Sequence, residues 1–329
     1  MIKLDDRWAK ALTNNDSFLI IGRVGMDLYP LPDGTQIERA EEFKTDIGGS
    51  AGNIAVALVK AGQKAGLLSS VSDDAIGQFV RYKMQDYGVD MQAVGIVGGT
   101  ARTSLALAET RPTKPEVVIY RNGAADLYLD QKRIDALSLS SLKAVFITGT
   151  ALSHEAALDQ LLSLCEKANK VNCPIILDVD YRASAWQNEA DARDALQTII
   201  PKCDIIIGND DEFAVIAGNG IEKGYQFAKD LGQRQQLIIY KKGEKGCEAF
   251  FKDASLSVGI FAVTIKKPFG AGDAFLGNLF ARLVVENDLE KAITRGAAAA
   301  AYVVSRSGCA SAMPTTDELD NFITSFSTH

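Results

Sequence analysis

Short apolar runs alternate with longer amphipathic segments between residues 144 and 240, and this alternation constrains the fold more than any other feature. Strands are predicted at Ala144–Thr148, Ile175–Val179, Ile205–Ile207 and Leu237–Tyr240. Helices are predicted at His154–Lys170, Asp191–Ile200, Asp210–Ala217 and Ile221–Leu231. Strands that are apolar throughout and separated by helices form parallel sheets with both faces covered. We therefore expect an α/β fold with a mostly parallel sheet between two helical layers.

The N-terminal part continues this pattern but is interrupted twice. Strands are predicted at Phe18–Ile21 and Gly66–Val71, each followed by a helical pattern. Two regions, about 28–46 and 95–122, contain short alternating segments and no helical pattern. Within the second, Thr103–Ala108 and Glu116–Tyr120 are expected to pair as a hairpin. We expect a single domain over 1–329 in which both regions form one small β-sheet lid.

Composition excludes several classes of protein. The 35 basic and 42 acidic residues give a net charge of −7 with no basic block, which argues against nucleic acid as a partner. No apolar run reaches the ~20 residues that cross a bilayer, and Met1–Lys10 is unlike a signal peptide. Five scattered cysteines without a C-x-x-C pair indicate the reduced cytoplasm and no zinc site. With only two histidines, a Ser-His-Asp mechanism is not expected.

The segment Gly270–Asp273 stands directly before an apolar helical run. Glycines let several backbone N–H groups point at one spot, and a helix N-terminus adds roughly half a positive charge. This arrangement suits an anion, yet a carboxylate follows immediately. Asp273 makes chemical sense there if it takes a proton from a hydroxyl that attacks a phosphoryl group. A simple tight turn is the structural alternative.

A second glycine-rich segment, Gly48–Asn53, also opens a helical pattern and suits a polyol. Its glycines would let a ligand approach the backbone, and the Asn53 amide offers a donor and an acceptor. Asp27 follows the first strand, where ligands of open α/β sheets bind, and could accept hydroxyl hydrogen bonds. Helix packing for the glycines and a turn role for Asp27 are the alternatives.

Two further segments follow predicted strands. Asn209 and Glu212 have the spacing of a capping box, and could alternatively organise a hydrated Mg²⁺ near phosphates without direct protein ligands. Lys242–Gly246 is compatible with an ordinary hairpin turn. Neither a P-loop nor a protein-kinase signature occurs, and no G-x-G-x-x-G follows the first strand. A nicotinamide dehydrogenase and a non-catalytic sugar sensor remain alternatives to a sugar kinase.

The two glycine segments, in this order and ~220 residues apart, resemble the N-terminal and C-terminal signatures of the ribokinase-like (PfkB) carbohydrate kinases. The resemblance covers most of the chain and includes the interrupted lid and Asn209-x-x-Glu212. It implies a three-layer αβα core with a β lid that often forms a dimer interface. It also implies phosphoryl transfer from ATP with Mg²⁺ to a hydroxyl of a sugar or sugar acid.

The resemblance assigns roles to individual residues. Asp273 would be the base, and the backbone of Gly270, Ala271 and Gly272 would hold the transferring phosphoryl group. The sugar would be bound by Asp27, Gly48, Gly49 and Asn53. The nucleotide and its hydrated Mg²⁺ would be bound by Asn209, Glu212, Lys242, Gly243, Gly246, Ala299 and Gly308.

Finer motifs point to an acidic substrate. Asp178–Arg182 followed by Trp186 resembles an element of kinases for keto-deoxy sugar acids. Segments around Arg121, Arg23 and Arg306 resemble those of family members that act on 5-dehydro-2-deoxygluconate. A guanidinium binds a carboxylate in bidentate fashion, so Arg121 and Arg182 are the candidates, with ordinary salt bridges as the alternative. The acid 2-dehydro-3-deoxygluconate and fructose remain alternative substrates.

One residue departs from the family pattern. Many members carry an acidic residue three positions before the first glycine of the anion hole, near a bound monovalent cation. This chain has Lys267 at that position. Its ammonium could replace the cation, so we expect little activation by K⁺.

Overall fold

The larger of two β-sheets runs through the centre of the computed structural model, which describes residues 4–218 and 220–327. Part of the Met1–Lys10 segment and the terminal His329 therefore lie outside the described residues. In chain order the strands are β1 (Ser17–Ile21), β2 (Gly25–Leu31), β3 (Glu42–Gly48), β4 (Ala65–Ser72), β5 (Val94–Val97), β6 (Leu105–Ala108), β7 (Val117–Tyr120), β8 (Leu142–Thr148), β9 (Ile175–Asp178), β10 (Ile205–Asn209), β11 (Leu237–Lys241), β12 (Cys247–Phe251) and β13 (Ala254–Val258).

The larger sheet has the order β13-β12-β11-β10-β9-β8-β1-β4-β5. Its pairs from β5 through β11 are parallel, whereas β12 and β13 form an antiparallel edge. The smaller sheet has the order β3-β2-β6-β7, in which β6 and β7 form the expected hairpin. We call this smaller sheet the lid.

Helices cover both faces of the larger sheet. In chain order they are α1 (Asp6–Asn14), α2 (Ser50–Lys60), α3 (Ala75–Asp86), α4 (Gln131–Asp135), α5 (Glu155–Lys170), α6 (Glu189–Ile199), α7 (Asp210–Ala217), α8 (Gly220–Gln233), α9 (Ala271–Val285), α10 (Leu289–Val304) and α11 (Thr316–Ser327). Successive strand residues alternate between two hydrophobic cores on opposite faces of the sheet. Ile20 belongs to the core that includes residues of α2, α9 and α10, and its neighbour Ile21 belongs to the core that includes residues of α5 and α8. The expected three-layer α/β architecture with a separate small sheet is confirmed.

Three local features differ from the sequence-based expectation. The segment Val94–Val97 falls mostly in the second expected lid region, about 95–122, yet it pairs with β4 in the larger sheet. The lid strands instead span residues 25–48 and 105–120. The expected helix Ala297–Val304 begins at Leu289, after Asp288 accepts a hydrogen bond from the Lys291 N–H. Helices α1 and α11 were not expected, although both are amphipathic.

Among the described helices, none combines the length and the apolar character that a membrane span requires.

Candidate active site

A cavity of about 1250 Å³ lies where the lid meets the loops after β9, β10 and β11 and the start of α9. It brings together segments separated by more than 200 residues in the chain. Predicted site residues that line it are Asp27, Gly49, Asn53, Arg121, Arg182, Asn209, Glu212, Gly243 and Gly270–Asp273. The residues that line it do not include the remaining predicted residues Gly48, Lys242, Gly246, Ala299 and Gly308.

The carboxylate of Asp273 lies in the first turn of α9 and meets the first turn of α2. Gly270 precedes the helix with φ +78°, a left-handed conformation that favours glycine. The Asn53 side-chain amide on α2 donates to Asp273 Oδ2 at 2.8 Å. The two helices can approach closely because Gly277 faces Ala57, where a Cβ would overlap the alanine methyl group. Helix packing thus joins the two glycine segments at one hydrogen bond.

The pKa of Asp273 is raised to about 6. Burial is the largest cause, and the negative charge of Asp180 adds to it. The Asn53 hydrogen bond and the charges of Arg182 and Lys241 act in the opposite direction. A carboxyl with this pKa is mostly ionised at neutral pH and can still hold a proton, as a general base must.

The start of α9 is also the place where an anion can bind. No side chain among the described residues caps this helix, so N–H groups of its first turn are free for a ligand. Lys241, at the end of β11, reaches the same place: a Cβ on Gly272 would lie 3.5 Å from its Nζ. Sequence reasoning missed Lys241 and selected its neighbour Lys242. The sequence does not show which of these two lysines faces the cavity, because that depends on the orientation of the strand.

The side chain of Lys242 is directed to Glu248 on β12, which also accepts a hydrogen bond from the Tyr225 hydroxyl at 2.7 Å. Gly243 lines the cavity, whereas Gly246 (φ +80°) is held against the Val258 carbonyl. The turn between β11 and β12 therefore presents Gly243 to the cavity and directs the Lys242 ammonium elsewhere.

Two predicted residues contribute to packing beside the cavity. Ala299 is buried within α10, in the core cluster shared with α9. Gly308 has φ +87° and lies against Asp46, whose Oδ2 accepts hydrogen bonds from the N–H groups of Cys309 and Ser311. This network places the segment after α10 at the cavity, where Cys309 is part of the wall.

Asp27 lies on β2 with one oxygen unpaired. The Tyr29 hydroxyl donates to its Oδ2 at 3.1 Å, whereas its buried Oδ1 has no hydrogen-bond partner in the described parts of the chain. The Arg23 guanidinium lies 3.8 Å from Oδ1, and its buried Nη2 is likewise unpartnered there. Burial raises the pKa of Asp27, against the opposing charge of Arg23. Gly48 is required beside it, because a Cβ there would overlap the Asp27 carboxylate.

The two predicted arginines differ in their partners. Arg121 is enclosed: it pairs with the buried Asp126 at 2.7 Å and donates to the Thr150 carbonyl at 3.0 Å. Within the described parts of the chain, Arg182 donates only through Nε, at 3.1 Å, to Asp180, and its side chain is 61% exposed. Its terminal N–H groups are therefore the more accessible donors for an anionic ligand.

Asn209 and Glu212 form a complete capping box at the start of α7. The Asn209 side chain accepts from the Glu212 N–H at 2.8 Å, and Glu212 accepts from the Asn209 N–H at 2.7 Å.

Asp178, which lines the same cavity, has a buried Oδ1 without a hydrogen-bond partner among the described residues. This oxygen lies 3.7 Å from Lys241 Nζ. Burial raises the pKa values of Asp178 and Glu212.

Lys267 is fully buried behind the anion hole. Its ammonium donates to the Phe269 carbonyl at 2.6 Å and lies 3.9 Å from the Cys309 sulfur. A lysine ammonium is thus buried beneath the cavity-lining residue Phe269, three residues before Gly270.

The fold and this site define a class of protein. The chain belongs to the PfkB family of carbohydrate kinases, because the model of "pfkB family carbohydrate kinase" matches residues 15–316. The expected resemblance and the main functional interpretation, a sugar kinase, are confirmed, and neither a dehydrogenase nor a sensor is favoured.

Relatives within the family share one name. The chain is 38% identical to 5-dehydro-2-deoxygluconokinase of Photobacterium profundum, over 93% of this chain and 94% of that protein. It is 32% identical to the protein of the same name from Clostridium botulinum, over 92% and 91% of the two chains.

Solved structures share the fold at lower identity. Fructokinase from Xylella fastidiosa with bound ATP aligns with a TM-score of 0.81 at 20% identity, over 94% of this chain and 99% of that one. A fructokinase double mutant from Vibrio cholerae O395, with fructose, ADP and a potassium ion bound, gives 0.81 at 21% identity over the same shares.

Proposed function

We propose that this carbohydrate kinase transfers the γ-phosphoryl group of ATP to a hydroxyl of 5-dehydro-2-deoxygluconate. The observation that carries phosphoryl transfer is the Asp273 carboxylate, hydrogen-bonded to Asn53 beside the uncapped start of α9. The substrate is supported by the shared name of relatives that are 32–38% identical over more than 90% of this chain. It is also supported by the arginines of the cavity.

The proposed reaction is a direct transfer. The acceptor hydroxyl loses its proton to Asp273, and its oxygen forms a bond to the γ-phosphorus. The bond from that phosphorus to the β–γ bridging oxygen breaks, and ADP leaves with the electron pair. N–H groups from Gly270–Gly272 would stabilise the charge that spreads over the phosphoryl oxygens. Asn53 holds Asp273 in position through the 2.8 Å hydrogen bond.

Three arginines at the cavity favour an acid over a neutral sugar. Arg182 keeps its terminal N–H groups available and is our main candidate for the carboxylate. Arg121 is balanced by Asp126 and would contribute less. The buried donor Arg23 Nη2 lies near the buried acceptor Asp27 Oδ1. We infer that these two atoms bind oxygens in the middle of the substrate's carbon chain. A buried donor left unpaired costs about 1–3 kcal/mol, so a bound oxygen recovers that energy.

Residues around the start of α7 fit a hydrated Mg²⁺. Asp178 offers a buried carboxylate oxygen without a partner among the described residues, and Asn209 and Glu212 line the same wall. Oxygen donors suit this ion, which retains several of its waters. When bound, Mg²⁺ would neutralise phosphate charge. The adenosine end of ATP is assigned to the side formed by Gly243 and the segment after α10.

Other properties follow from the family resemblance. We propose that residues 1–329 form one kinase domain and that two copies associate through the lid, whose Tyr120 is 64% exposed. The five buried free cysteines are compatible with a cytoplasmic location.

A coupled assay for ADP release tests the substrate. We expect kcat/KM for 5-dehydro-2-deoxygluconate to exceed the values for 2-dehydro-3-deoxygluconate and fructose by at least ~10-fold, because buried polar groups left unpaired by the wrong sugar lower transition-state binding. Equal or faster turnover of fructose would refute the substrate assignment.

A substitution tests the carboxylate contact. Arg182→Met should raise KM for the acid by about 10-fold or more. Arg39→Met, at an exposed position between β2 and β3, is the matched control and should leave KM unchanged.

A further inference from the structure

Lys241 ends β11 with its side chain on the cavity side of the strand. The preceding residue, Tyr240, is on the opposite face, where it packs against Phe213 and Tyr225. Because strand residues alternate between faces, Lys241 is directed toward the start of α9. Its Nζ stands 3.5 Å from the position that a Cβ on Gly272 would occupy.

The ammonium of Lys241 has no hydrogen-bond acceptor within residues 4–218 and 220–327. Its nearest opposite charge is Asp178 Oδ1, 3.7 Å away, which is an ion pair beyond hydrogen-bonding distance. Asp178 Oδ1 is itself unpartnered in that part of the structure. The lysine side chain is only 20% exposed. Three donors are therefore held at the cavity wall without an acceptor.

The ammonium of Lys241 lies among carboxylates of the cavity wall, of which Asp178 is at 3.7 Å. It also faces uncapped N–H groups of a helix start. An anion between the two would satisfy both.

We propose that Lys241 is a further catalytic residue, whose ammonium contacts the non-bridging oxygens of the phosphoryl group during its transfer from a nucleoside triphosphate to the sugar. The phosphoryl group forms a bond to the acceptor oxygen while its bond to the leaving nucleoside diphosphate breaks. During this step the negative charge of the phosphoryl oxygens lies between Lys241 and the N–H groups at Gly272. The lysine transfers no proton, because Asp273 accepts the one from the hydroxyl. This role extends the proposed kinase reaction and holds for any sugar acceptor.

Lys242 provides a matched control. It has the same charge and is adjacent in sequence, but its ammonium binds Glu248 away from the cavity. Lys241→Met keeps most of the side-chain length and removes the charge, and it should lower kcat by ~10²–10³-fold, the range for loss of one donor to developing charge. KM for the sugar should change less than about 3-fold. Lys242→Met should leave kcat within about 3-fold of the unsubstituted enzyme.

A binding measurement separates this role from a structural one. ADP with aluminium fluoride imitates the phosphoryl group in transit, and it should bind more tightly than ADP alone to the unsubstituted enzyme. Lys241→Met should lose that gain by ~10-fold or more and keep its affinity for ADP. If Lys241→Met keeps its kcat, or loses kcat but retains the tight ADP–aluminium fluoride complex, the proposal is wrong. Because this measurement needs no sugar, it is independent of the substrate assignment. A melting curve for each variant checks folding.

Discussion

The two glycine segments of the site look alike in sequence, since each precedes a helix and supplies one polar side chain to the same hydrogen bond. They differ in what occupies the space that the missing side chains leave. At Gly48 and Gly49 that space is filled by the protein, by the Asp27 carboxylate and the Arg23 carbonyl. At Gly272 it opens to the cavity, and only Lys241 Nζ lies within 4 Å among the described residues. The first segment builds the wall of the site, and the second leaves room for a ligand.

This difference explains why the polar residues of the two segments have unequal roles. Asn53 belongs to a helix whose first turn packs against Arg23, Val24 and Ile47, and its amide is placed to orient Asp273. Asp273 itself belongs to the open segment, at the start of α9. The base of the proposed reaction would meet both a hydroxyl and a phosphoryl group, which requires a position on the open side.

The largest effect is expected from removal of the carboxylate in the open segment. Asp273→Asn should lower kcat by ~10² or more, since a positioned base contributes that much. Nucleotide affinity should be retained. The folded pKa of about 6 lies above the ordinary value of 3.8, so the contribution of this carboxyl to stability is fully present below pH 3.8 and is lost as pH rises through 6. At pH 7 the variant should therefore be as stable as the unsubstituted enzyme, or more stable by up to about 3 kcal/mol.

Steady-state ADP release and urea unfolding measure both parts of this prediction. Asp317→Asn, in the exposed first turn of α11, is the control and should change neither. Full activity in Asp273→Asn would remove the role of base from this residue.

A second experiment adds one methyl group to each segment. Gly48→Ala places it in the Asp27 carboxylate and should destabilise the fold by about 1–3 kcal/mol. Gly272→Ala meets the protein only at ordinary contact distance, so stability should be unchanged while kcat/KM for ATP falls by about 10-fold or more. Melting temperature and kinetics of the pair measure the contrast. Equal loss of stability in both would contradict the distinction between a wall and a ligand space.

The hydrogen bond between the segments predicts a pH effect. The base must be ionised, so kcat/KM should rise with pH to about 6 and then level off. Asn53→Ala removes a contact that lowers the pKa of Asp273, so the acidic limb should move to higher pH. A pH–rate profile with the same sugar measures it. A limb that stays in place, or moves to lower pH, would show that Asn53 does not tune this carboxyl.

The smallest effect concerns Lys267, which stands three residues before Gly270 and the open segment. Because the Lys267 ammonium already binds the Phe269 carbonyl, exchange of Na⁺ for K⁺ at constant ionic strength should change the rate by less than about 2-fold. Rates in the two chloride salts measure this. A large increase with K⁺ would show that Lys267 does not replace a monovalent cation.

Much of the fold could be predicted from local pattern. The helix Asp210–Ala217 was predicted with the observed bounds, because its capping box and apolar face are both local. In contrast, the large-sheet strand Val94–Val97 was assigned to the lid, because its four residues carry no signal of which sheet they join. Helix α1 and the first half of α10 were likewise not predicted, and their buried apolar residues pack into the core.

The sequence by itself determined the family, the α/β alternation, the two glycine segments and the carboxylate at the second. These follow from residue types at fixed local spacing, which the chain displays without folding. Only the tertiary structure decided that Lys241 and not Lys242 faces the cavity, that Arg121 is balanced by Asp126, and that Arg23 and Asp27 keep atoms unpaired among the described residues. The reason is that the partner of a charged side chain depends on strand orientation and on residues far away in the chain.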